Sequence, residues 1–239
     1  MIINLISGPR NISTALMYSF SQRVDTKVVD EPFYGYYLNK TNMNHPGADE
    51  IMNDMCLSVS KILHQVYELQ KEYPNVFLKN MAHHHIDFDW DYLKNFQNVF
   101  LIRDPKQLIS SFAQVIENPT INDIGLKHEA DLFEYCKKNG EHKPIIIDSN
   151  DLLSNPEKYL SYLCKELGLS FSNSMTSWKQ GAIPEDGIWA QYWYKNVHLT
   201  TGFSKQKTSS RPLLPKHQSL YEEAHHYFEK LSSHKSIFV

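Results

Sequence analysis

Residues 7–14, Ser-Gly-Pro-Arg-Asn-Ile-Ser-Thr, follow a short apolar run and lead directly into residues with helical spacing. This order predicts a strand, a tight loop and a helix. The start of a helix directs unpaired N–H groups and the positive end of its dipole at one point, where an anion can bind. Arg10 adds a fixed charge, and Ser13 and Thr14 add hydroxyl donors. The segment is predicted to cradle a phosphate or sulfate; the alternative is an ordinary turn capped by Ser13.

The loop lacks the Gly-Lys-Ser/Thr ending with which nucleoside-triphosphate loops hold the β- and γ-phosphates and magnesium. ATP hydrolysis is therefore not expected. Arg10 instead suits bidentate hydrogen bonding to phosphate or sulfate oxygens, and this mode of binding requires no metal.

A second group of polar residues follows the apolar run 99–102. Arg103 stands at the end of this predicted strand, Pro105 suits a first helical turn, and Ser111 comes eight residues after the arginine. Arg103 and Ser111 could both face one phosphate. The alternative for Arg103 is an ion pair with a surface carboxylate.

The elements that must position these residues alternate along the chain. Short apolar runs predict strands at 1–5, 27–29, 76–78, 99–102 and 144–147, and helical spacing predicts helices at 13–23, 51–73, 105–116 and 127–139. Strands that alternate with helices and are apolar throughout favour a parallel sheet buried on both faces. The predicted fold is a three-layer α/β/α sandwich with a mostly parallel central sheet, and ligands are expected at the carboxyl ends of its strands.

Residues 172–215 are polar, aromatic and rich in turn formers, which predicts a lid over the site. Within them, the stretch 188–198 is aromatic enough to line an acceptor pocket, with Tyr34, Tyr36 and Tyr37 as a possible second wall. A terminal helix is predicted over residues 216–231.

The length, net charge, apolar segments and cysteine content of the chain limit the class of protein it can be. The length of 239 residues suits one domain over residues 1–239, and the formal net charge of -3 gives no general attraction to nucleic acid or to anionic membranes. No segment approaches the roughly 20 apolar residues that span a bilayer, and the first residues do not show a charged region followed by a long apolar stretch. Three cysteines without Cys-x-x-Cys spacing argue against disulfides or a zinc ribbon. A soluble, cytoplasmic protein is expected.

Three blocks of the sequence together resemble the sulfotransferases that use 3′-phosphoadenosine 5′-phosphosulfate (PAPS). Pro9 to Thr14 is similar to the phosphosulfate loop of that family, and Arg103, Pro105 and Ser111 are similar to its 3′-phosphate motif. Residues 148–169 are similar to the helix before its substrate lid. The resemblance covers roughly residues 1–170 and implies a P-loop NTPase-like sandwich.

The resemblance also implies roles for individual residues. Arg10, Asn11, Ser13 and Thr14 would hold the phosphosulfate, with Arg10 also neutralising the leaving oxygen. Arg103 and Ser111 would hold the 3′-phosphate, and Lys205–Arg211 is the nearest match to a basic segment that adds contacts to it. The chain departs from the family at Asn11 and Ile12, where many members have Ser and Gly.

Sulfuryl transfer needs a base that takes the proton of the acceptor, and the sequence offers two places for it. Glu31 follows the second predicted strand; His83 and His84 follow the third. Metal binding by the run His83–His85 is not expected, because consecutive side chains diverge.

The predicted reaction is sulfuryl transfer from PAPS to a hydroxyl or amine of a small-molecule acceptor, without a metal. Two alternatives remain at this point. One is a nucleotide or small-molecule kinase that uses ATP and magnesium, and the other is a nucleotide-binding relative without catalysis. The sequence specifies neither the acceptor nor the oligomeric state.

Overall fold

The computed structural model describes residues 1–203 and 212–236 of the chain. Five strands, all parallel, form one sheet in the order β2-β3-β1-β4-β5. They are β1 (Ile2–Ser7), β2 (Thr26–Asp30), β3 (Asn75–Met81), β4 (Gln97–Ile102) and β5 (Ile145–Asp148). The predicted parallel α/β fold is confirmed, and all five carboxyl ends share one edge.

Twelve α-helices connect and cover these strands in the described residues. They are α1 (Ser13–Ser21), α2 (Tyr34–Thr41), α3 (Ala48–Asp54), α4 (Val59–Glu72), α5 (Pro105–Phe112), α6 (Ile121–Ile124), α7 (Leu126–Asn139), α8 (Ser149–Ser154), α9 (Pro156–Glu166), α10 (Ala190–Trp193), α11 (Lys195–His198) and α12 (Gln218–Ser232). The helix predicted over residues 216–231 corresponds to α12, which packs against α7.

The single helix predicted over residues 51–73 is wrong, because the chain forms α3 and α4 with a break between them. Met55 and Ser58 are extended at this break. The break lets Met55 pack against α2, where a β-carbon added to Gly35 would lie 2.7 Å from Cβ of Met55. Tertiary packing therefore overrides a helical pattern that reads as continuous in the sequence.

The two faces of the sheet carry separate apolar cores, because successive side chains of a strand point to opposite faces. Ile6, Leu78 and Phe100 belong to one core, while Leu5, Phe77 and Leu101 belong to the other. The helices bury both faces, as the apolar strands predicted.

The sequence pattern was interpreted as strands that are apolar throughout, but the strands of the structure are not. Asn80 donates to Asn4 at 2.8 Å, Asn4 donates to Asn98 at 3.0 Å, and Asn98 donates to the carbonyl of Leu93 at 2.7 Å. All three amides are buried. Their cross-strand bonds compensate the loss of water, so the three central strands tolerate polar side chains in the interior.

Residues 172–203 begin against the C-terminal end of α1, where the hydroxyl of Ser19 donates to the carbonyl of Met175, and continue to the carboxyl edge of the sheet, where the hydroxyl of Tyr194 lies 2.8 Å from Oδ2 of Asp30. This segment contains a short 3₁₀ helix (Asn173–Thr176), α10 and α11, and a single bridge joins Ser177 to Gly202. The basic segment Lys205–Arg211 lies outside the described residues. No helix within residues 1–203 and 212–236 is long and apolar enough to cross a membrane.

Candidate active site

The loop between β1 and α1 has an unusual backbone. Arg10 and Ile12 have φ values of 60° and 58°, and for a β-branched side chain such as isoleucine this left-handed conformation is strained. No side chain caps α1, so the alternative of a turn capped by Ser13 is not what the structure contains. The N–H groups of Asn11, Ile12 and Ser13 donate to no acceptor in the described part of the chain. They are available to an anion.

Asn11 anchors this loop to the neighbouring strand. Its side-chain Nδ2 donates to the carbonyl of Leu101 at 2.6 Å, and the residue is fully buried. The family resemblance implied that Asn11 binds the phosphosulfate, but its side-chain amide nitrogen already donates to β4. Asn11 lines the cavity, and its backbone N–H remains as the group that can contact a ligand.

Arg10, Arg103 and Ser111 converge from two loops. Nε of Arg10 donates to Oγ of Ser111 at 3.2 Å, and a terminal nitrogen of Arg103 donates to the carbonyl of Arg10. Nε of Arg103 also lies 3.4 Å from Oε1 of Gln107. Burial, together with the charge of Arg10, lowers the pKa of Arg103. Two guanidinium groups held this close favour an anion between them.

The local sequence explains how Arg103 is held in place. It leaves the end of β4 just before α5, and the side chain of Asp104 caps this helix by accepting from the N–H of Gln107 at 3.1 Å. Pro105 occupies the first helical turn, as predicted. Ser111, two turns along α5, therefore lies on the same side as the arginine.

A buried cluster of charges stands at the other end of the edge, where β2 and β3 finish. Nζ of Lys79 donates to Oδ1 of Asp30 at 3.0 Å, to Glu31, and to the hydroxyl of Tyr194 at 2.5 Å. Tyr194 in turn lies 2.8 Å from Oδ2 of Asp30. Burial raises the pKa of Asp30 to about 6, against the attraction of Lys79. Burial also opposes the charge of Lys79, but the two carboxylates outweigh it and raise its pKa.

Glu31 has a strained backbone, with φ at 40°. Its N–H donates to the carbonyl of Lys79 at 2.8 Å, which fixes the chain in this conformation. Oε1 faces Lys79 and Tyr194, whereas Oε2 lies 4.0 Å from Nδ1 of His84. Strain of this kind persists where the surrounding structure holds it and is common at functional sites.

The three adjacent histidines have different environments. His84 is stacked between the rings of Tyr34 and Tyr37, at 4.9 and 4.7 Å, and His83 lies edge-on to Tyr37. His85 instead faces the core, where Nδ1 lies 3.1 Å from the carbonyl of Met81. Burial lowers the pKa of His83 to about 3 and that of His84 far below its ordinary value. Both rings are therefore neutral and weakly basic.

One cavity of about 330 Å³ connects all of these groups. The donor end is formed by the β1–α1 loop, Arg103 and Ser111, and the acceptor end follows β2 and β3. The acceptor end is lined by Glu31, Tyr34, Tyr37, Met43, Asn44, His45, Lys79, Met81, His83, His84, Asp123, Trp193 and Tyr194. Apart from residues 205–211, every residue predicted to bind the donor or to act as the base lines this cavity, including Ser13 and Thr14. Tyr36, predicted as part of the second wall, instead packs in the core, and its hydroxyl donates to the carbonyl of Asp87.

Sequence reasoning missed Asp30, included Tyr194 only among the aromatic residues of the pocket wall, and gave Lys79 no role of its own. A lysine within an apolar strand is a usable signal, because a buried ammonium requires a carboxylate partner. Asp30 and Glu31 end the neighbouring strand and supply two. The described residues contain no group of three His, Cys, Asp or Glu side chains that could hold a metal ion.

The parallel sheet, with a loop of unpaired N–H groups and two arginines at its carboxyl edge, is the architecture of a sulfotransferase-like domain. The chain belongs to the sulfotransferase domain family, whose sequence profile matches residues 1–233. It is 35% identical over 234 residues to the branched-chain-amino-acid aminotransferase-like protein 1 of Arabidopsis thaliana, and 31% identical to the like-named protein 2. Each match covers 98% of this chain but 42% of the relative, so the chain spans less than half the length of either.

Solved structures share the fold. The sulfotransferase domain from the curacin biosynthetic pathway superposes with a TM-score of 0.55 at 16% identity, covering 93% of this chain and 96% of that one. The sulfotransferase domain of the Synechococcus PCC 7002 olefin synthase gives 0.58 at 17% identity, covering 93% and 94%. A sulfotransferase from Alicyclobacillus acidocaldarius gives 0.54 at 12%, covering 99% and 97%.

Proposed function

We propose that this protein transfers a sulfuryl group from PAPS to a hydroxyl or amine of a small acceptor. The observation that carries the proposal is a single cavity with arginines at one end and a carboxylate at the other. Sulfotransferases generally use PAPS as their donor, which supports the same choice here. The names of the two plant relatives refer to proteins more than twice as long, and an aminotransferase activity is not part of the proposal.

The donor end suits a nucleotide with two separated phosphate groups. The N–H groups of Asn11, Ile12 and Ser13, with Arg10 and the hydroxyls of Ser13 and Thr14, would bind the 5′-phosphosulfate. Arg103 and Ser111 would bind the 3′-phosphate. The contact between Arg10 and Ser111 brings the side chains of the two motifs together, which supports binding of one nucleotide across both.

In the proposed step, the acceptor oxygen attacks sulfur from the side opposite the bridging oxygen. A new S–O bond forms while the bond from sulfur to the bridging oxygen breaks. The proton of the acceptor hydroxyl passes to a base, and adenosine 3′,5′-bisphosphate leaves with the bridging oxygen. Arg10 would neutralise the charge that develops on that oxygen.

Of the candidate bases, we assign this role to Glu31. The low pKa of His83 and His84 makes both rings weak proton acceptors at neutral pH. Oε2 of Glu31 accepts no hydrogen bond from the described residues, while Lys79 and Tyr194 hold Oε1. His83 and His84 would then shape the wall that receives the acceptor.

Residues 187–203 would form the lid that closes the acceptor end. Trp193 and Tyr194 from this segment already line the cavity, and Tyr194 ties the segment to Asp30. A lid of this kind excludes water, which would otherwise compete with the acceptor for the sulfuryl group.

The test is calorimetric titration with adenosine 3′,5′-bisphosphate, with ATP and magnesium as the comparison. The bisphosphate is expected to bind, and Arg103→Ala to weaken it about 10- to 100-fold, as loss of hydrogen bonds from a charged group does. Lys106→Ala, at an exposed position of the same helix, is the matched control and should bind normally.

Preference for ATP would support a kinase instead, and binding of neither would overturn the proposal. Binding of the bisphosphate without turnover of PAPS on a broad panel of alcohols, phenols and amines would indicate a nucleotide-binding relative without catalysis.

A further inference from the structure

The two ends of the cavity differ in charge. Arg10 and Arg103 make the donor end positive, whereas the charged side chains that line the acceptor end are Glu31, Asp123 and Lys79. The charge of Lys79 does not neutralise Glu31 and Asp123 toward a ligand, because its ammonium is already paired with Asp30 and Glu31. The ammonium of Lys79 therefore faces the carboxylates of Asp30 and Glu31, and Asp123 adds a third carboxylate.

Asp123 contributes a carboxylate that is only partly engaged by the protein. Its Oδ2 accepts from the N–H of Thr120 at 2.8 Å and from the hydroxyl of that residue at 2.7 Å. Oδ1 accepts nothing from the described residues. The negative charge of Asp123 acts on a neighbouring tyrosine: burial and then the proximity of Asp123 raise the pKa of Tyr37 to about 12.

The histidines of the acceptor end add no positive charge. Burial lowers the pKa of His45, as it does for His83 and His84. The hydroxyl of Tyr34 lies 2.9 Å from Nδ1 of His45, which fixes that ring as a hydrogen-bonding partner. The described acceptor wall is thus negative overall at neutral pH.

The rest of the wall at the acceptor end consists of aromatic side chains and a methionine. Tyr34, Tyr37, Trp193 and Met43 all line the same end of the cavity. Aromatic rings attract cations through their negative faces, and a carboxylate nearby adds to that attraction when water is excluded. An anionic acceptor would meet repulsion from the same groups.

We propose that the acceptor is a small cationic molecule that carries its nucleophilic hydroxyl and a protonated or quaternary ammonium group. The hydroxyl lies toward Glu31 and the ammonium toward Asp123 and Tyr37. This inference rests on the proposed sulfuryl transfer for the place of the hydroxyl, but the charge preference of the wall is a property of the residues themselves.

The experiment uses three phenols that differ in the charge of one side chain: tyramine, which is cationic, tyrosol, which is neutral, and 3-(4-hydroxyphenyl)propionate, which is anionic. Each is titrated into the protein alone and into protein saturated with adenosine 3′,5′-bisphosphate. Tyramine is expected to bind about 10-fold more tightly than tyrosol, and the propionate most weakly, as a partly screened charge pair predicts.

Asp123→Asn keeps the oxygen that caps α6 but removes the charge, so it should weaken tyramine about 5-fold and leave tyrosol unchanged. Asp54→Asn, at an exposed position outside the cavity, is the control. Equal affinities, tighter binding of the propionate, or no binding of any phenol would overturn the cationic acceptor. Failure of the bisphosphate to bind would instead count against the proposed function, and the titrations without nucleotide would still report the charge preference.

Discussion

Nε of Arg10 donates to Oγ of Ser111 at 3.2 Å, which joins the first loop of the chain to a helix 101 residues later. The resemblance to sulfotransferases assigns these two residues to different parts of the nucleotide. Their contact joins the two motifs at the donor end, so the positions of the two phosphate groups in the proposed complex would depend on each other.

Ser111→Ala should weaken binding of adenosine 3′,5′-bisphosphate about 5-fold, since one hydrogen bond to a charged group and the orientation of Arg10 are lost. Ser110→Ala is a matched control on the same helix, because the Ser110 hydroxyl is buried without a described partner. Calorimetry on the two variants distinguishes them. Equal weakening by both would mean that α5 acts only through packing.

Glu31→Gln should lower the turnover number for sulfuryl transfer about 100-fold or more, because a positioned base contributes that much or more to proton removal. Binding of the bisphosphate should be unaffected, since Asp30 still pairs with Lys79. His84→Gln should lower turnover less than Glu31→Gln does. The reverse order in steady-state kinetics would transfer the role of base to the histidine.

Tyr194→Phe should destabilise the protein by about 1–3 kcal/mol, because it removes the hydroxyl from a buried cluster of charges. Tyr192→Phe lies two residues earlier, in α10, where the side chain is exposed and its hydroxyl lies 3.3 Å from a carboxylate oxygen of Glu50; this change should leave the free energy of unfolding unchanged. Urea denaturation measures both. An unchanged free energy of unfolding for Tyr194→Phe would show that this hydroxyl does not contribute to holding the segment 187–203.

Glu129 predicts a dependence of stability on pH. Both of its oxygens are buried, and burial raises its pKa far above the ordinary value, while the nearby N–H of Gly8 acts in the opposite direction. The folded state therefore keeps this proton to a higher pH than the unfolded state, so stability falls as pH rises above the unfolded pKa.

Glu129→Gln removes that dependence. The variant should be more stable than the parent at pH 8 by about 1–3 kcal/mol, with a smaller difference at pH 5. Glu141→Gln, at an exposed loop position, should show no such change with pH. Urea denaturation at the two pH values tests this, and a difference independent of pH would contradict the assignment to Glu129.

Much of the fold was predictable because local patterns suffice for it. Five short apolar runs alternate with helices, and a parallel sheet is the arrangement that buries such strands on both faces. The place of Arg103 followed from the same reasoning, since the carboxyl ends of parallel strands share one edge. The break at Met55 was not predictable, because it depends on contact with Gly35 from a different helix.

By itself, the sequence determined the sulfotransferase family, the parallel α/β fold, and the residues from which the site is built. Only the tertiary structure decided which of those residues contact each other: Arg10 with Ser111, and Lys79 with Asp30, Glu31 and Tyr194. It also decided that His83 and His84 are weak bases, because the pKa of an imidazole depends on burial by distant segments. Motifs record what each residue is, whereas charge and basicity in a site depend on what the fold places around it.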